Sequence, residues 1–127
     1  MSSDLTKEII NKYIEAYNAF DTEGMARFLH KDIVFRNFSN GEVNTETNGI
    51  EEFRELSEKS AQMFSSRCQT ITSYIAIDDK AEVQIDYEGV LAADLPNGMK
   101  AGDKIRLQGK SVFQIKDDKL VLIEDYS

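Results

Sequence analysis

The chain has 127 residues, 41% of them hydrophobic and 30% charged, with a formal net charge of −8. Such a chain buries a core without disulfides or a structural metal, while its acid excess excludes the clustered basic surface that nucleic acids and anionic membranes require. Its single cysteine, Cys68, excludes an intrachain disulfide and fits a reducing cytoplasm.

The opening MSSDLTKEII holds Asp4 and Glu8 and no apolar stretch, which predicts no signal peptide. No apolar run is long enough to span a membrane. From there Leu5, Ile9, Tyr13, Ala16, Tyr17 and Phe20 recur at spacings of three and four, the broad apolar face of a first helix. Ser3 or Asp4 is placed to cap it. Asp21 and Thr22 interrupt the pattern and cap a short second helix striped by Met25, Phe28 and Leu29, with His30 at its end. The period then shortens to two, which predicts a strand over 32–38. The polar stretch SNGEVNTETNG reads as a loop. Thr47 or Asn48 then caps a third helix over 50–65, anchored by Phe53, Leu56, Met63 and Phe64.

The remainder reads as four strands, 67–77, 80–94, 103–116 and 119–126. Asp78 with Asp79, and Asp117 with Asp118, form short hairpin turns, and LPNGMKAG forms a longer one. Strands joined this way pair antiparallel. In the 103–116 strand Ile105, Leu107, Phe113 and Ile115 share a face, with the small Gly109 and Ser111 among them. That face is short of side-chain volume at its middle, so it is either filled by a large partner such as Tyr17 or Phe53, or left open. Helices gathered first and an antiparallel sheet after them give an α+β domain over 1–127. A sheet of this size curls, and helices laid over its hollow side enclose a pocket.

Three segments carry a resemblance: YIEAYNAFDTEGMARFLHKDIVFRN, NGIEEFREL and VFQIKDDKLVLIEDYS. In order and spacing the chain resembles the nuclear transport factor 2-like superfamily, in particular its SnoaL-like branch. The resemblance implies a cone-shaped, cystatin-like fold, three N-terminal helices on a curved, mostly antiparallel sheet with an internal pocket, often as a homodimer. Relatives include ketosteroid isomerase, polyketide cyclases, limonene epoxide hydrolase and small proteins without an assigned activity, so the fold alone does not settle function.

Carried over residue by residue, the isomerase's oxyanion-hole Tyr falls on Tyr13, its general-base Asp on Asn37, and its protonated Asp near Ser111. An amide has no basicity, so Asn37 departs from isomerase chemistry. The epoxide hydrolase's water-holding Asn falls on Asn37 and its strand-end Asp on Asp125, beside Tyr126. Its Arg-x-Asp falls on Gln84, Ile85 and Asp86, so the bridging arginine is missing. Two carboxylates without that cation would repel, leaving one of them protonated.

Each candidate has a plain alternative. Asn37 orients water or a ligand inside the cone, or bonds to backbone at a strand end. Tyr13 and Tyr17 present hydroxyls to a pocket, or pack in the core. Asp125 is a cavity carboxylate with a raised pKa, or a solvated acid near a chain end. Arg36, opposite Asn37 in the pleat, faces solvent or an acid on a neighbouring strand. One histidine, His30, and one cysteine, Cys68, with no partner near in sequence, predict neither a metal site nor a thiol nucleophile, and no phosphate-binding glycine motif occurs.

The expectation is a cone that binds a small, mostly apolar molecule without cofactor, with Tyr17, Phe35, Phe53, Ser111 and Phe113 lining it. If it is an enzyme, isomerase, cyclase or hydrolase chemistry runs through Asp125, with Asn37 and Tyr13 polarising an oxygen or holding water. The alternative is a non-catalytic ligand-binding or dimerisation module whose pocket is partly filled by its own side chains. The apolar and polar faces of the 80–94 strand, with the resemblance, predict a homodimer.

Overall fold

The computed structural model describes residues 2–96 and 98–126, with side chains from Leu5 onward. Three helices, α1 (Ser2–Asn18), α2 (Thr22–Ala26) and α3 (Ile50–Gln62), pack against six strands: β1 (Leu29–Ser39), β2 (Glu42–Asn48), β3 (Phe64–Ile77), β4 (Lys80–Leu91), β5 (Lys104–Lys116) and β6 (Lys119–Tyr126). This is the α+β cone that the periodicities predict. Helix α1 already includes Ser3 and Asp4, whose side chains lie outside the described residues. Asp21 does cap α2, its Oδ1 accepting the Gly24 N–H at 2.9 Å. Helix α3 has no side-chain cap. Gly49, at φ 87°, precedes it, and the Asn48 N–H bonds back to Glu52 Oε1 at 2.9 Å.

The strand order is β2-β1-β6-β5-β4-β3. All neighbours are antiparallel except β1 and β6, which pair parallel. Several expectations are corrected: α3 ends at Gln62, so Phe64 belongs to β3, and Leu29 belongs to β1 rather than to the second helix. The segment read as a polar loop contains β2, an edge strand paired to β1 through Val34 to Asn48 and Asn37 to Thr45. Residue His30 lies in β1, not at a helix end. It is buried, and its Nδ1 accepts the Asp32 N–H at 3.0 Å.

The core sits between α1, α3 and the inner face of the sheet. Ile10, Ile14, Ile33, Phe53, Val83, Phe113, Leu120 and Ile123 are buried there. The apolar face of β4, Ala81, Val83 and Ile85, belongs to this core, with Asp86 exposed on the other side. The apolar side of its alternation is thus covered within the chain.

Candidate functional site

The sheet register decides what faces the hollow. Thr45, Asn37, Asp125, Ser111 and Val83 stand side by side in one row across β2, β1, β6, β5 and β4. One row deeper lie Phe35, Ile123, Phe113 and Ala81. In the opposite direction β6 has ended, and β5, β4 and β3 continue with Gly109 beside Ile85, Leu107 beside Tyr87, and Ile105 beside Gly89 and Arg67. Over this outer part, beneath α1 and α3, lies a cavity of about 390 Å³, within the size of small-molecule sites. Gly109 and Ser111 line it, so the face short of volume is left open rather than filled.

Of the residues named from the sequence, Tyr13, Tyr17, Phe35, Asn37, Phe53, Ser111 and Asp125 all line this cavity. Phe113 does not. It is 1% exposed, one row deeper than Ser111, and packs edge-on against Tyr13 with ring centroids 6.0 Å apart. It supports the cavity's floor from within the core.

Asp125 forms the acidic end. Ser111 Oγ donates to its Oδ1 at 2.6 Å. Burial disfavours the carboxylate and pushes its pKa up to about 6, against which the Ser111 hydrogen bond pulls down. Asn37 flanks Asp125 on β1, with its Nδ2 donating to Asn44 Oδ1 at 3.0 Å, a side chain of β2 rather than backbone. Tyr13 reaches the same space from α1. Its hydroxyl is held well above the usual tyrosine pKa, first by burial and then by the nearby Asp125 charge, so it is a hydrogen-bond donor rather than an anion.

At the other end the sequence reading missed Arg67 and Tyr87, which also line the cavity. Tyr17 and Tyr87 hold each other hydroxyl to hydroxyl at 3.1 Å. Burial, then the Tyr17 neighbour, pushes the Tyr87 hydroxyl far above its usual range. Arg67 is 5% exposed. Its Nε donates to the Tyr17 carbonyl at 2.9 Å and its guanidinium stacks 3.8 Å from the Tyr17 ring centre. A β-bulge between Ile71 and Ser73 reverses the facing of β3 partway along, so that Arg67 and Gln69 share the inner face with Tyr74.

The remaining candidates lie elsewhere. Arg36 is on the outer face, paired with Glu46 and with Glu124 at 3.1 Å. Cys68 is exposed on β3. No group of three or more His, Cys, Asp or Glu able to hold a metal ion occurs among the described residues. Among the described residues no helix is long and apolar enough to cross a membrane.

Known proteins place this geometry. The SnoaL-like domain family matches residues 10–123. No curated protein matches the chain in sequence. Among solved structures, a candidate polyketide cyclase from Xanthomonas campestris pv. campestris superposes with a TM-score of 0.81 at 18% identity, covering 100% of this chain and 93% of its own. AclR, a candidate hydroxylase from Streptomyces galilaeus, gives 0.77 at 17% identity, covering 98% and 89%. An uncharacterised cystatin-fold protein from Novosphingobium aromaticivorans gives 0.72 at 16%, covering 93% and 94%. At these identities the likeness shows the shared cone fold, while the match over most of the chain shows the family: the protein belongs to the SnoaL-like domain family.

Proposed function

We propose that the cavity binds a small, mostly apolar molecule and that Asp125 moves a proton on it, in cofactor-free isomerase, cyclase or hydrolase chemistry. One observation carries this reading: a half-buried carboxyl bonded to Ser111 and facing a cavity large enough for a substrate, where desolvation pushes its pKa up to about 6. Such a group is an effective general base near neutral pH, because it is substantially ionised yet still basic. Tyr13 would then donate to an oxygen on the substrate, where charge develops as the proton leaves, and Asn37 would orient a water or a second oxygen beside Asp125. The candidate polyketide cyclase and the candidate hydroxylase share this fold, which supports the class without choosing within it.

The reading is tested with a fused-ring ketone, 2-tetralone, whose α-protons exchange with deuterated solvent. The wild-type protein should speed exchange above the buffer rate. Asp125→Asn should remove at least 99% of that effect, on the order of the hundredfold ascribed to a general base, with ligand binding retained. Exchange at equal rates in the two proteins would dismiss Asp125 as the base. A non-catalytic module would favour a closed core at Gly109 and Ser111 and a solvated Asp125, and the geometry of both residues weighs against it. The homodimer rests on the resemblance alone, and light scattering at working concentration that returned the monomer mass would discard it.

A further inference from the structure

We infer that the ligand is an organic anion, an apolar or aromatic molecule carrying a carboxylate, and that Arg67 takes its charged end. The inference rests on the reading of the cavity as a small-molecule site and adds the class of molecule.

Arg67 differs from the paired arginines of the chain. Arg36, Arg54 and Arg106 each hold a glutamate. Arg67 is buried, yet no acid pairs with it among the described residues, in a chain where 23 acids face 15 bases. Its Nη1 and Nη2 have no hydrogen-bond partner among the described residues. Only Nε is used, on the Tyr17 carbonyl. The stacked rings of Tyr17 and Phe20, 3.8 and 4.6 Å from the guanidinium carbon, cover its flat face and leave its edge of N–H donors unspent. A buried cation with idle donors is costly to keep. A carboxylate matches that edge with two parallel hydrogen bonds.

The surroundings suit such a ligand. Opposite Arg67 on β4 stands Gly89, where an added Cβ would lie 2.9 Å from the Phe64 ring and 3.3 Å from that of Tyr87. The missing side chain lets both rings lie against the strand, an aromatic wall beside the guanidinium. Six residues of β5 separate the row of Ile105 from that of Ser111, about 20 Å of strand. The cavity is therefore polarised, with Arg67 at one end and Asp125 at the other, where Lys110 also lines it but is paired with Glu82 at 3.3 Å. Tyr13 feels both, the Asp125 charge raising its pKa and Arg67 lowering it. A carboxylate bound at Arg67 is kept away from Asp125 by like-charge repulsion, which points the uncharged part of the molecule at the acid. Seating the ligand requires the sealed guanidinium edge to turn toward the cavity that Arg67 already lines.

The test uses 2-naphthoate and its neutral counterpart 2-naphthamide, titrated at pH 7.5 by calorimetry into the wild-type protein and Arg67→Met. The wild type should prefer naphthoate by about tenfold or more, the worth of one charge-assisted bidentate contact. The Met variant should lose that preference and still bind the amide. Equal affinities in the wild type, or a preference that survives in Arg67→Met, would overturn the inference while leaving the small-molecule cavity intact. If neither compound binds, the cavity reading falls and this inference with it. Should Arg67→Met not fold, the Arg67 Nε–H resonance of the wild type carries the test. It should shift with naphthoate and not with naphthamide, and an unmoved resonance counts against the assignment.

Discussion

At one end of the cavity the ionisable group is an acid, the half-buried Asp125, which a single proton neutralises. At the other it is the guanidinium of Arg67, a group that proteins do not deprotonate. Asp125 answers burial by moving its pKa to about 6 and by taking a hydrogen bond from Ser111. Arg67 answers it by stacking on Tyr17 and Phe20 and leaves two nitrogens idle. Burial thus makes a chemical switch of the first residue and a fixed charge of the second. One end is suited to moving protons and the other to holding a counter-charge.

The largest effect that would break this contrast is in pH dependence. The fold raises the Asp125 pKa from 3.8 to about 6. Stability from this group is therefore complete below pH 4 and lost as pH rises through 6, by about 3 kcal/mol in all. Between pH 4 and pH 7.5 the urea-unfolding stability of the wild type should fall by about 2.5 kcal/mol relative to Asp125→Asn, and an identical pH dependence of the two proteins would show that the fold does not raise the Asp125 pKa. Next, Arg67→Met should raise stability by about 1 kcal/mol at both pH values, because it removes an unpaired buried charge and keeps the apolar volume. A large loss instead would show that the stacked rings and the Tyr17 bond outweigh the idle donors. Ser111→Ala removes a charge-assisted hydrogen bond worth about 1.5 kcal/mol, so the carboxyl carbon-13 titration of Asp125 should move up by roughly one unit. The smallest effect is Tyr17→Phe. It breaks the hydroxyl pair with Tyr87 and should cost about 0.5–1 kcal/mol in thermal unfolding, without altering the Asp125 titration.

Much of the frame was legible because the core writes its period into the chain. Helix α1 shows its face through Ile9, Tyr13 and Tyr17, and β5 shows both its face and its gap through Ile105, Gly109, Ser111 and Phe113. Aspartates at positive φ mark two hairpins, Asp78 in one and Asp117 with Asp118 in the other. Strand β2 was not legible. It is an edge strand whose side chains are polar except for the exposed Val43, with Thr47 alone buried, so hydrogen bonding to β1 rather than burial makes it a strand. Arg67 was hidden for a different reason. The bulge after Ile71 breaks the two-residue period of β3 and leaves Ile75 and Ile77 at 49% and 57% exposed, so no alternation shows which way Arg67 points. Asp125 entered through the resemblance, since composition cannot tell a cavity acid from a solvated one. Phe113 shares the Ser111 face, but facing inward is not the same as reaching the cavity, and depth along the strand is invisible to a two-residue period.

The central place of β6 has a consequence for how the molecule comes together. It is the last strand in chain order, yet it lies between β1 and β5, and its parallel pairing with β1 joins residues such as Arg36 and Glu124 that are 88 positions apart. A chain that stops short of it holds a β1–β2 hairpin and a β3–β5 meander with no strand to join them. Long-range pairings of this kind form slowly, since the closure entropy precedes the contacts that offset it. Asn37 and Ser111 become neighbours of the same carboxyl only when β6 docks, so the maturation of the site and the closing of the sheet are one kinetic event.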